Sequence, residues 1–316
     1  MYKEEIKVMD CTIRDGGLMN KWQFSDEFVR AVYDACVEAG IDYMEIGYIS
    51  GEKYFSRNEM GPWKFCSEKD MKRIVGDKKN SLKLSAMADI GRVDFSDFKK
   101  ASESSLDMIR VACYAHQMSK AIKMAHHCMD KGYETTINLM AVSSVSEPEL
   151  EEALKDVAKS KVPIFYLVDS YGSMHGESVE YLMKRYKEIL PGKEIGIHTH
   201  NNMQFATSNT ITALINGATR LDATLLGMGR GAGNCPIEIL IAFLKNPKYR
   251  LLPLFKAIQE YVLPMSKKID WGYHIPYLIT GALNMHPRDA IAWMESENKD
   301  DFVTFMKKLH DYELLE

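Results

Sequence analysis

The chain has 316 residues, of which 46% are apolar, and a formal net charge of -4, the make-up of a globular protein with a full core. That balance excludes nucleic acid as a partner, because phosphate binding needs a concentrated basic face, and the lysine pairs Lys78-Lys79, Lys99-Lys100 and Lys267-Lys268 are short and flanked by acids. No apolar run reaches membrane-spanning length, the charged start (Lys3, Glu4, Glu5) is no signal segment, and six cysteines without a CxxC pair predict a reduced, cytoplasmic protein.

In chain order, short apolar runs fall at 6–10, 43–47, 82–86, 108–112, 135–140, 165–169, 194–198 and 220–224. Each is apolar on both faces, as a strand buried on both sides must be. Helical patterns lie between them. Ser25 precedes one, with Phe24, Phe28, Val32 and Cys36 at helical spacing; a second spans 146–158 and opens Ser-Glu-Pro-Glu, with proline suited to a first turn; a third spans 208–216. Eight strands alternating with helices predict a parallel sheet closed into a (β/α)8 TIM barrel over 1–245. Pro247, Pro253, Pro264, Pro276 and Pro287 then break the rhythm, and 246–316 is predicted to be a C-terminal helical extension.

A barrel of this kind keeps its chemistry at the C-terminal ends of its strands. The polar residues cluster there: 10–17 after the first run, Glu45 in the second, Asp169-Ser170-Tyr171-Gly172 after the sixth, His198-Thr199-His200 after the seventh and 227–234 after the eighth. In a strand, residues two apart share a side, so His198 and His200 can reach one cation. Taken alone they could equally be two unrelated histidines. Asp15 offers a third ligand, and two nitrogens with one oxygen leave room for substrate on Mn2+, Co2+ or Zn2+, with Mg2+ as the oxygen-preferring option. Arg14, an ordinary surface residue if read in isolation, stands beside that ligand and can stabilise an enolate oxygen. Glu45 is either its buried partner or a purely structural ion pair. The stretch 227–234 lacks a Gly-Lys-Ser/Thr ending and is not a P-loop. Its glycines let the backbone pass close to a ligand, and Asn234 can serve as a further ligand or a nearby donor.

Taken together, Asp10-x-Thr12-x-Arg14-Asp15-Gly16, Glu45, His198-x-His200-Asn201 and the glycine-rich loop ending in Asn234 resemble the DRE-TIM metallolyase superfamily, also called HMG-CoA lyase-like, over residues 6 to 245. Three stretches, 109–112, 169–172 and 221–234, resemble the 4-hydroxy-2-oxovalerate aldolase branch most. The resemblance implies a divalent-metal-dependent aldolase or lyase. Asp15, His198 and His200 would bind the metal. Arg14 would steady the metal-bound enolate of a 2-oxo acid such as pyruvate, and Ser170 and Asn234 would lie near the substrate. Its partners would be a 2-oxo acid and an aldehyde, with a homodimer as the candidate assembly and no surface read for a dehydrogenase partner.

One departure matters. Where the aldolase branch carries its base histidine, three residues after the metal-binding aspartate, this chain has Leu18. The proton carrier is then expected from the extension, with His274 or Tyr273 first and Tyr277 third, or else Lys21 or His175. Two other functions stay open: a Claisen-type synthase joining an acyl-CoA to a 2-oxo acid, and a non-catalytic relative that only binds metal.

Overall fold

The computed structural model describes residues 4–77 and 80–310; Lys3 and the Lys78-Lys79 pair lie outside them. Strands β1 (Lys7–Asp10), β2 (Tyr43–Tyr48), β3 (Lys83–Asp89), β4 (Met108–Cys113), β5 (Glu134–Leu139), β6 (Ile164–Asp169), β7 (Glu194–Thr199) and β8 (Arg220–Ala223) pair in parallel in chain order, and β8 closes onto β1. The (β/α)8 barrel read from the alternation is the fold. Its strands are legible as apolar runs because helices cover their outer faces while their inner faces fill the barrel.

Helices α1 (Thr12–Asn20), α2 (Asp26–Ala39), α3 (Glu68–Val75), α4 (Met118–Asp130), α5 (Glu147–Lys159), α6 (Gly176–Ile189), α7 (Ala206–Ile215) and α8 (Ile237–Leu244) occupy the connections. Ser25 caps α2, its Oγ accepting from the Phe28 amide at 3.2 Å. A capping box between Ser146 and Glu149 starts α5, with its proline in the first turn. Two connections differ from a simple alternation. Between β3 and β4 there are only 3-10 turns, Phe95–Asp97 and Ala101–Glu103, and no α-helix. That segment is rich in serine and aspartate, which compete for backbone hydrogen bonds and favour turns. After β1 the chain turns at once into α1, whose first six residues are all buried.

One strand is irregular. β2 pairs with β3 as Glu45↔Ser85, Gly47↔Ala86 and Tyr48↔Met87, so one residue is inserted after Glu45.

The extension folds back on the barrel. α9 (Leu251–Ala257) lies along α2, and the Arg250 amide donates to the Ala39 carbonyl at 2.9 Å. A π-turn, Ile258–Val262, leads into α10 (Leu263–Ser266). Trp271 Nε1 then donates to the Leu226 carbonyl at 3.1 Å, and the Gly272 amide to the Gly231 carbonyl at 3.1 Å. These bonds fasten the chain to the glycine-rich loop. α11 (Ile275–Ala282), α12 (Arg288–Met294) and α13 (Phe302–Leu309) gather around a small apolar cluster that includes Tyr277, Ala290 and Phe305. Among the described residues no helix is long and apolar enough to cross a membrane.

Candidate active site and metal centre

His198 lies in β7 and His200 just past its end, two residues on, and α1 carries Asp15 over the same point. The two Nε2 atoms converge on Asp15 Oδ2, at 3.2 Å from His198 and 3.5 Å from His200. Each ring is oriented from behind. His198 Nδ1 is 3.0 Å from Asp222 Oδ2, and His200 Nδ1 is 3.0 Å from the Asp169 carbonyl. Both neighbours only accept, so Nδ1 carries a hydrogen, and in the neutral ring Nε2 is the nitrogen with the lone pair. Metal-ligating histidines need that tautomer. One ligand atom from each of Asp15, His198 and His200 lies within 4.8 Å of the others. Buried His200 Nε2 and buried Asn234 Oδ1 both lack a hydrogen-bond partner in the described structure. Two imidazole nitrogens, a carboxylate oxygen and a spare amide oxygen form a donor set that fits a divalent cation. Asn234 packs beside Asp15 because Gly229 makes room: a Cβ there would come within 2.0 Å of Asn234 Nδ2 and 3.1 Å of Asp15 Oδ1. The close passage expected of the glycine-rich loop is thus made against these two side chains.

A second grouping, Cys11, His198 and Asp222, also has ligand-type spacing. The buried Arg110 guanidinium sits against it, donating to Asp222 and lying 3.6 Å from Cys11 Sγ. A cation already fills that place.

Arg14 is held on two sides. Its Nε donates to Glu45 Oε2 at 2.7 Å and its Nη1 to Asp15 Oδ2 at 2.7 Å. Glu45 Oε2 also takes Arg110 Nη1 at 2.9 Å, and Arg110 passes on to Asp222. The ion pair foreseen for Glu45 is therefore one link of a buried chain from Arg14 to His198. Its Nη2 lies 3.5 Å from His198 Nε2, so the guanidinium touches Glu45, Asp15 and a candidate ligand while lining the cavity.

Burial would raise the Asp15 carboxyl, but Arg14 and the two histidines hold it well below the usual carboxylate range. Burial pulls His200 down to about 4, so it is neutral at physiological pH. Burial and Arg14 also oppose a proton on His198, yet Asp15 and Asp222 outweigh them and its pKa is raised.

Above this cluster lies a cavity of about 160 Å³, whose wall includes Arg14, Leu18, Tyr48, Asn138, Ser170 and Arg230. Ser170 Oγ accepts from the Ala141 amide at 2.8 Å, which leaves its hydrogen for a ligand. The structure brings Asp15, Arg14, Glu45, His198, His200, Ser170 and Asn234 to one place. It does not bring the expected proton carriers there. Tyr273 is 54% exposed, and His274 pairs with Asp270 in a separate hollow. Tyr277 is buried with its ring against Gly231. Lys21 and His175 are exposed, and none of these five lines the cavity. The extension contributes His286 instead. Its Nε2 is 3.4 Å from Arg230 Nη1, and burial together with Arg230 and Arg288 lowers it to about 4. Sequence reading missed His286, Arg230 and Tyr48. Only the glycine-rich setting of Arg230 and the Gly47-Tyr48 pair in a strand offered a local signal.

This arrangement is a (β/α)8 barrel with a candidate metal site at the C-terminal ends of its strands. Residues 5–260 match the HMGL-like family model, and the chain belongs to that family, the DRE-TIM group its motifs resemble. A 4-hydroxy-2-oxovalerate aldolase of Thermus thermophilus is 31% identical over 267 residues, spanning 81% of this chain and 74% of that protein. An oxaloacetate decarboxylase of Mycobacterium tuberculosis is 33% identical over 287 residues, spanning 84% and 82%. The solved structure of an N-terminal domain from Bacteroides vulgatus superposes with a TM-score of 0.78 at 29% identity, over 93% of this chain and 98% of that one. A hydroxymethylglutaryl-CoA lyase of Pseudomonas aeruginosa shares the fold, with a TM-score of 0.69 at 16% identity over 84% and 94%.

Proposed function

We propose that the protein is a divalent-metal-dependent carbon–carbon lyase that cleaves a 2-oxo acid to leave the enolate of pyruvate. The observation that carries this reading is the convergence of His198 Nε2 and His200 Nε2 on Asp15 Oδ2 with Arg14 alongside, next to the cavity that Arg14 and both histidines line. A divalent cation held by Asp15, His198 and His200 would supply Lewis acidity at the 2-oxo carbonyl, and the mixed nitrogen and oxygen donors favour Mn2+. Glu45 and Asp15 fix the Arg14 guanidinium beside His198, where it would stabilise the oxygen on which negative charge develops. Ser170 offers its hydroxyl hydrogen to a substrate carboxylate.

A second reading concerns which bond breaks. Cleaving an aldol requires a base to take the hydroxyl proton, and Leu18 lines the cavity where the aldolase branch has its histidine. Loss of carbon dioxide from a 2-oxo acid with a carboxylate on its third carbon leaves the same enolate and needs no such base. Leu18 favours this decarboxylase reading, and a relative of that name is 33% identical.

The experiment offers a panel of 4-hydroxy-2-oxo acids and oxaloacetate to the protein with Mn2+ and follows pyruvate release through a coupled lactate dehydrogenase. The His200→Ala variant measures release by free metal. Release from neither class above that control sinks the lyase reading; release from oxaloacetate alone selects decarboxylation.

A further inference from the structure

We propose that the Tyr48 hydroxyl is the group that moves the proton at the enolate carbon, a role Leu18 cannot take; this rests on the lyase reading above and serves either of its two cleavages.

The cavity wall holds few groups able to carry a proton. His286 is engaged at both nitrogens: Nδ1 accepts from the Arg288 amide at 3.1 Å, and Nε2 faces the Arg230 guanidinium. Asp89 is tied to Arg92 at 3.1 Å. Tyr114 is 40% exposed and stacks on His116 at the rim. Tyr48 is 5% exposed, lines the cavity, and its hydroxyl has no hydrogen-bond partner among the described residues.

The strand is built to aim it there. Glu45 and Tyr48 are three apart, so in a regular strand they would point to opposite faces. The residue inserted after Glu45 reverses the alternation, and Tyr48 then sits level with Met87, itself a cavity residue. Gly47 permits the bulge: a Cβ there would lie 2.0 Å from the Trp63 carbonyl oxygen. The ring is clamped on its flanks. Trp22 meets it edge-on at 5.2 Å. Lys64, a 2% exposed cation, stands 4.1 Å from the Tyr48 ring, 4.1 Å from Trp22 and 4.2 Å from Phe55. The Trp22 indole also donates to the Arg14 carbonyl at 2.9 Å, so one side chain sets both the phenol and the guanidinium.

The step balances as a single proton transfer. The phenol O–H bond breaks, the enolate's π electrons form the new C–H bond at the third carbon, and the phenolate regains a proton from water at the cavity mouth. Burial and Asp89 raise the phenol above its usual range, so Tyr48 is loaded with its proton when the enolate forms.

The test follows deuterium uptake into the methyl group of pyruvate in D2O by mass spectrometry, with metal content measured, for wild type and Tyr48→Phe. Oxalate, a planar mimic of the enolate, is titrated by tryptophan fluorescence as a binding readout. The expected result is a loss of exchange on the order of 10²-fold or more, with metal content and oxalate affinity unchanged. Equal exchange in Tyr48→Phe overturns the role of Tyr48 and leaves the lyase reading standing. Loss of oxalate affinity along with exchange makes the hydroxyl a binding group and also overturns it. Absence of exchange in wild type removes the lyase reading and this proposal together.

Discussion

His198 Nδ1 lies 3.0 Å from Asp222 Oδ2, and the same carboxylate oxygen takes Arg110. One buried group thus orients a candidate ligand and neutralises a buried cation. Asp222→Asn is expected to weaken metal binding by about 10- to 100-fold, as loss of such an orienting partner does. It should also cost several kcal/mol of stability, about 3–5, because Arg110 loses half its countercharge in a dry interior. Metal titration and a melting curve on one preparation check both. Unchanged metal affinity would show that the histidine needs no orientation from Asp222.

His200→Ala is expected to lose most of its bound metal and keep its fold. The ring is a loop-end ligand held by a single carbonyl, and the core beneath does not depend on it. Elemental analysis and circular dichroism read the two parts separately, and equal metal in wild type and variant would refute the ligand assignment.

Arg14→Lys is expected to lower kcat on the order of 10²-fold while metal content stays near normal. Lysine keeps the charge but has no planar fork to hold Glu45 and Asp15 and still face an oxyanion. Steady-state kinetics at saturating metal decide this; a near-normal kcat would make Arg14 structural.

Tyr273→Phe and His274→Ala are expected to leave turnover within about threefold of wild type, since exposed side chains away from special features seldom matter by more than about 0.5 kcal/mol. Both residues stand in a hollow separate from the cavity. A large loss of pyruvate release in either would mean that the extension moves during the reaction.

Much of this was legible beforehand, and for local reasons. The His198-x-His200 spacing works because a strand repeats every two residues, and the serine caps before α2 and α5 sit beside the helices they start. The short helix α1 was not legible, because Gly16 and Gly17 are poor helix formers and its inward face is polar. The missing helix between β3 and β4 was hidden by the regularity of the other units. The place of His286 depends on a chain folding back across the barrel, and Asn-Met-His-Pro has no pattern that reveals it. The direction of Tyr48 depends on a bulge for which a lone strand glycine was the one hint.

The buried chain from Asp15 through Arg14, Glu45 and Arg110 to Asp222 sets three carboxylates against two guanidinium groups. With neutral imidazoles that chain carries one surplus negative charge, and Arg230, which lines the cavity and whose amide donates to Asp15 at 3.0 Å, offsets it. A divalent cation bound there would turn the local balance positive. The metal-loaded protein should therefore bind oxalate more tightly than the free protein.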